Sequence, residues 1–217
     1  SVKYQGFSLV FSFDDEFNVS LLKRNMLIDT ERDIYLGDKN FDFAIVDEII
    51  LPYIQENFVI DSLLADDTKR QRLRNNLKYY AEDVRAKLLF EETHIIYSNT
   101  GDIPGEDDEG EEFELDITVT QKDITRALSP VFQKAIDISL GLLERNNLKG
   151  SSLDSLILVG GSTFSPVLRK MLEAQICKPD TSVDSRTVIV KGAALYASTI
   201  DVSEIVRLKK RDKTKIQ

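Results

Sequence analysis

The sequence has few of the residues that staple small proteins or bind metals. Its 217 residues include one cysteine, Cys177, so no disulfide can form within the chain. A lone cysteine fits a reducing, cytoplasmic compartment, and Cys177 reads as a small buried hydrophobe rather than a nucleophile. The one histidine, His94, sits in "EETHIIYSN". With no second histidine and no cysteine cluster, a zinc-type centre is not expected, and His94 reads as structural. Basic charge is also scarce: Lys plus Arg total 28 against 37 Asp plus Glu, a net charge of −9. That balance lacks the basic footprint of nucleic-acid binding. It leaves room for a small anionic ligand, which feels the local field of its pocket. No apolar run reaches the length of a membrane span, and no basic-then-apolar leader opens the chain. Neither nucleic acid nor membrane is therefore expected as a partner.

What is present is an ordinary globular mixture, 42% apolar and 30% charged, enough for one large domain or two small ones. "FSLVFSF" reads as a buried strand, and "EFNVSLLKRNMLIDTERDIYLG" as further strands with "RN" at the hairpin turn. From Asn40, apolar residues Phe41, Ile45 and Ile49 recur at helical spacing, with Asn40 or Asp42 as the cap. Leu73, Leu77, Tyr80, Val84 and Leu88 form the clearest helical stripe. "THIIYSN" reads as a strand. The acidic stretch that follows reads as a solvated loop leading into the strand "FELDITVT". A calcium site and a partner-binding loop stay open there, although EF-hand spacing is not met. Thr120 is placed to cap a long amphipathic helix, which Pro130 is expected to kink or break. The chain begins almost on a strand and ends on "RLKKRDKTKIQ", without a core pattern, so it is expected to be part of a longer protein.

One stretch asks for more than packing. "LILVGGSTFSP", residues 156–166, runs a buried strand into Gly160-Gly161, then two hydroxyls, then a proline at a helix start. Glycines at a strand-to-helix turn let a ligand touch the backbone, and the helix start offers N–H groups that lack helical partners. A purely structural tight turn explains the pair of glycines as well. The Walker and G-x-G-x-x-G spacings are both absent.

The longer context carries a resemblance. "DSLILVGGSTFSPVLRKML", followed by "VDSRTVIVKGAALYAS", closely resembles the second adenosine-contact segment of the heat-shock protein 70, or DnaK-type, chaperones. There the pattern runs "VLVGGSTRIPKVQ", then "NPDEAVAYGAA". "FNVSLL" resembles "FDVSIL", "YLGDKNFDFAIV" resembles "HLGGEDFDNRLV", and "YYAEDVRAKLLF" resembles "CEKAKIELS". The resemblance extends to about Ile200 and implies the second lobe of an actin-like ATPase, an α/β fold. In it a ribonuclease-H-like sheet flanked by helices (residues 1–36 and 129–202) carries an inserted helical α+β upper subdomain (37–128). Residues 203–217 would begin a linker to a peptide-binding domain.

The same resemblance implies a ligand and partners. ATP or ADP with Mg²⁺ is the implied cofactor. Gly160, Gly161 and Ser162 match the adenosine-contact turn, and Glu82 and Arg85 match helix positions that contact ribose and base. Taken without the resemblance, Glu82 and Arg85 read as an exposed charged face. Phe164 stands in place of an arginine over the adenine, Leu89 in place of a serine that bonds the base, and Arg186 in place of an aspartate. The implied partners are the first lobe and peptide-binding domain of the same chain, a nucleotide-exchange factor, a J-domain co-chaperone and unfolded client peptides.

The departures cluster where phosphates would sit. The family's "DLGGGTFDVS" is here "SFDDEFNVS": Ser12 replaces the catalytic-site aspartate, and Asp14, Asp15 and Glu16 replace glycines and a threonine. Asp38 replaces the second glycine of "LGG". Two functional readings follow. One is the adenosine-binding lobe of a chaperone ATPase that does not hydrolyse ATP as this chain alone. The other is a degenerate pseudo-ATPase that serves as scaffold or co-chaperone. A sugar-kinase relative of the same fold is less compatible with "AEDVRAKLL" and with the proline in "GGSTFSP".

Overall fold

The computed structural model describes residues 6–182, 184 and 187–199. Arg186 and the expected linker from residue 203 lie outside the described residues. The chain is mixed α/β. Strands β1 (Phe7–Phe13), β2 (Phe17–Lys23) and β3 (Met26–Asp33) form an antiparallel meander, and β6 (Leu153–Val159) adds parallel to β1, in the order β3-β2-β1-β6. The β2–β3 turn is the expected one. Arg24 and Asn25 have φ of 50° and 66°, the left-handed pair that matches strand twist in a two-residue hairpin.

Alternation along the strands sets the core face. Leu9, Phe11 and Phe13 of β1 and Phe17, Val19 and Leu21 of β2 are fully buried. An aromatic cluster joins this sheet to the helices. Phe13 meets Phe17 at 5.3 Å and Phe41 at 4.8 Å between ring centroids, and Phe41 meets Phe132 at 4.9 Å. The edge strand β3 instead exposes Met26, Leu27 and Ile28.

Helix α1 (Asp38–Ile45), a π-turn (Val46–Ile50) and α2 (Leu51–Asn57) follow one another without a break. The start differs from expectation. The helix begins at Asp38, the Asn40 side chain folds back to accept the Gly37 N–H at 2.8 Å, and Asp42 lies inside the helix and buried. The π-turn was not foreseen, and Pro52 accounts for it. Pro52 has no N–H for the Glu48 carbonyl, so the ladder shifts: the Leu51 N–H reaches back to Val46, and Arg126 donates to Glu48 O at 3.5 Å.

After α3 (Asp61–Ala65), α4 (Asp67–Lys87) starts under a cap in which Asp66 accepts from Thr68 N and Lys69 N at 2.8 and 3.0 Å. It buries Leu73, Leu77, Ala81 and Val84. Strands β4 (Thr93–Ser98) and β5 (Leu115–Thr120) pair antiparallel around the acidic loop. That loop is tied down by its own acids. Asp107 accepts from Val59, Glu109 and Glu111 N–H groups at 2.8–2.9 Å, which hold its carboxyl below the usual range, and Asp108 accepts from Ser62 N at 2.8 Å. Among the described residues no grouping of His, Cys, Asp and Glu has the arrangement to hold a metal ion.

Helix α5 (Gln121–Arg145) is capped by Thr120 as foreseen, with Asp123 completing a capping box, but it runs unbroken through Pro130. Pro130 and Arg126, whose carbonyl loses its donor, both lie on the exposed face of the helix. Buried Leu128 and Phe132 hold the helix on either side of the proline. Helix α5 packs on β2, β3, α1 and α6 (Pro166–Gln175). The last described element, α7 (Val188–Thr199), leaves Ile189, Val190 and Leu195 60–70% exposed. Among the described residues no helix is long and apolar enough to cross a membrane.

The aromatic cluster generates a stability test. Phe132→Ala should cost about 3–5 kcal/mol in urea denaturation, as a truncated ring leaves a void that the sheet and α1 cannot refill. Met26→Ala on the exposed edge should stay within about 0.5 kcal/mol.

Candidate functional site

The site is built at the carboxyl ends of two parallel strands. Phe11 lies opposite Leu158 and Ser12 opposite Val159, so β1 and β6 end side by side. Their loops, Asp14–Glu16 and Gly160–Phe164, therefore meet. This is the edge of a parallel pair where ligand crevices form. The second loop does not pass directly into α6: a 3₁₀ turn, Gly161–Phe164, intervenes, and Pro166 then opens the helix.

Asp14 joins the two loops. Its carboxylate accepts the Gly161 N–H at 2.9 Å, and its backbone carbonyl accepts the Asp38 N–H at 2.9 Å. Two glycines make room for this. Gly160 has φ +101°, and a Cβ there would fall 2.5 Å from the Asp14 carboxylate. A Cβ at Gly37 would fall 2.0 Å from the Asp15 carbonyl. Burial pushes the Asp14 carboxyl up, the Gly161 N–H pulls it back, and the neighbouring Asp38 and Asp15 charges push it up further. The Ser162 hydroxyl donates to Asp38, and the Thr163 hydroxyl donates to the Gly160 carbonyl at 2.7 Å.

A cavity of about 320 Å³ opens beside the turn, between the end of α4, the start of α5 and the start of α6. Its walls are mostly apolar, with Phe41, Leu88, Leu89, Ile124, Leu128 and Phe132, and its polar groups include Asp38, Glu82, Arg85, Gln121 and Ser162. Arg85 is held by acids. Its Nε donates to Asp42 at 2.8 Å, and its Nη1 lies 3.8 Å from Asp38. Asp42 is 2% exposed, so burial raises its carboxyl while Arg85 lowers it. Glu82 is engaged by Lys78 at 2.7 Å.

Of the residues singled out from sequence, Gly161, Ser162, Glu82, Arg85 and Leu89 line this one cavity, and Gly160 forms the turn at its edge. Phe164 is not among the lining residues. Its ring lies under the Arg169 guanidinium, 5.3 Å from centroid to Cζ, and Arg169 also donates to the Thr163 carbonyl. Arg186 lies outside the described residues. Sequence reasoning did not single out the apolar wall, Phe41, Ile124, Leu128 and Phe132, or Gln121. Their helical spacing marked them as core, and nothing in that spacing tells a core face from a pocket wall. Away from this site, His94 meets Asp83 and Glu91, and burial raises the half-buried Cys177 thiol.

A nucleotide can be tried against these groups in two parts. The apolar wall with Glu82 and Arg85 suits a flat base and hydroxyls. The phosphate end does not fit. The Gly161 N–H is already bonded to Asp14, and the Asp14, Asp15 and Asp38 charges lie close together beside it. Two unit charges 4 Å apart repel by about 4 kcal/mol at the dielectric typical of a protein surface.

Compared with models of known families, the sequence matches the one described as Hsp70 protein over residues 15–209, most of the chain.

Substitutions at Gly160, Asp14 and Arg85 test the geometry. Gly160→Ala should destabilise by about 1–3 kcal/mol in urea denaturation, and pairing it with Asp14→Ala should recover the part due to the carboxylate contact. Arg85→Met should cost about 1–3 kcal/mol at pH 7, because Asp42 stays buried with Lys78, 3.7 Å away, as its remaining cation. Without Arg85 the folded Asp42 holds its proton to higher pH, while the unfolded chain releases it near 3.9. The loss should therefore be smaller at pH 5 than at pH 7.

Proposed function

The chain belongs to the Hsp70 protein family, chaperones with an ATP-binding domain, and on that premise we propose that it supplies the adenosine-side lobe of such a domain. The observation that carries this reading is the single cavity that gathers Gly161, Ser162, Glu82, Arg85 and Leu89 from three separated segments. An apolar pocket with a few convergent polar groups is the usual form of a small-molecule site. In this reading β1–β3, α5 from residue 129 on, β6 and α6 form the sheet-bearing base of the lobe, and residues 37–128 are the inserted upper part on which a nucleotide-exchange factor would act. The apolar residues of α7, Ile189, Val190 and Leu195, are 60–70% exposed, which supports a first lobe of the same protein packing there. A J-domain co-chaperone and client peptides would engage the whole protein through that lobe and a peptide-binding domain.

A second reading has its own observation. Asp14 on the Gly161 N–H favours a pseudo-ATPase that keeps the fold and does not turn over ATP. Phosphoryl transfer rests on positioning and on neutralising phosphate charge. In this chain the groups beside Gly161 add negative charge instead. Both readings predict that the purified 217-residue chain releases no phosphate from ATP above a buffer blank. Turnover that follows the chain through repurification would contradict both. The first reading alone predicts that adenosine compounds bind the cavity, shown by titration calorimetry and lost in Leu89→Arg.

A further inference from the structure

We propose that the cavity beside Gly161 takes an unphosphorylated nucleoside of the adenosine type in preference to its phosphates. The inference rests on the adenosine-side reading and names the ligand class of that site. A phosphate site presents hydrogen-bond donors, and a phosphate is only an acceptor. Here the polarity at the mouth is reversed. The Gly161 N–H is occupied by the Asp14 carboxylate at 2.9 Å, the Ser162 hydroxyl donates to Asp38, and the Asp38 N–H donates to the Asp14 carbonyl at 2.9 Å. The Arg85 guanidinium is shared between Asp42 and Asp38. The cation of the lining, Arg85, is thus already engaged by acids, and the carboxylate oxygens of Asp38 and Glu82 beside it accept and do not donate. The matching ligand end is a hydroxyl, which donates, and a phosphate is excluded by both charge and hydrogen-bond sense.

Size points the same way. The cavity of about 320 Å³ lies at the small end of ligand pockets, roughly 300–1,000 Å³. Its depth is apolar, formed by Leu88, Leu89, Ile124 and Phe132, as a flat base requires, and the charged groups Glu82, Arg85 and Asp38 are the polar contacts for ribose hydroxyls.

The test is a calorimetric titration of adenosine, AMP and ATP, the last with and without Mg²⁺, into the 217-residue chain. Adenosine is expected to bind about tenfold more tightly than AMP or ATP. Asp14→Asn keeps the shape and removes the charge, and it should shift the AMP-to-adenosine affinity ratio about fivefold toward AMP. Circular dichroism melting confirms that the variant is folded, and Asp15→Asn serves as a parallel variant if Asp14→Asn is not. ATP binding as tightly as adenosine, with or without Mg²⁺, overturns the proposal and leaves the adenosine-side reading standing. No binding of any of the three to folded protein at millimolar concentration overturns both. An unchanged affinity ratio in folded Asp14→Asn and Asp15→Asn also overturns the proposal.

Discussion

The Asp14 contacts are the constraint on which the functional end of the molecule depends. One residue bonds two separate segments: its carbonyl receives the first N–H of α1, and its carboxylate receives the N–H of Gly161. The loop that carries it is pressed between Gly37 and Gly160, at distances that leave no space for a Cβ at either. The parallel pairing of β1 and β6 brings these parts together, since it ends both strands at the same level. An acid in this place does two things. It satisfies a backbone donor that would otherwise face solvent or a ligand, and it makes the surroundings of that donor negative.

The cavity depends on a second tie, between α1 and α4. Asp42 is buried in α1, and a carboxylate there is tolerable because Arg85 bonds it from α4 and Lys78 of the same helix lies 3.7 Å away. The same guanidinium approaches Asp38 and lines the cavity, so stability and ligand recognition share one side chain. Beneath it, the Phe13, Phe41 and Phe132 rings carry the packing from sheet to helices. The cavity is thus bounded by rigid elements on α1, α4, α5 and α6.

Much of the fold was legible because it is written in local periodicity. The alternation in β1 and β2, the stripe of Leu73, Leu77 and Val84, the Arg24-Asn25 turn and the Thr120 cap each need only neighbours in sequence to be read. The misreadings concern proline and caps. Pro130 sits in an unbroken helix because packing on both sides of it outweighs one lost bond, whereas Pro52 changes the helix to a π-turn. Asn40 caps from inside the helix rather than at its start, its side chain accepting the Gly37 N–H from the third helical position.

At the site the sequence by itself determined the chemistry on offer: Gly160-Gly161 at a strand end, acids where the family has glycines, and membership of the Hsp70 protein family through the motifs that carry it. It also placed Glu82 and Arg85 on one helix. Only the tertiary structure decided how those groups are spent. It put Asp14 on the Gly161 N–H, turned Phe164 under Arg169 and away from the cavity, and divided Arg85 between Asp42 and Asp38. The physical reason is range. Periodicity and turn chemistry act over a few residues, whereas the Asp14–Gly161 bond joins positions 147 residues apart. Strand pairing and helix packing set that bond, and no local pattern encodes either.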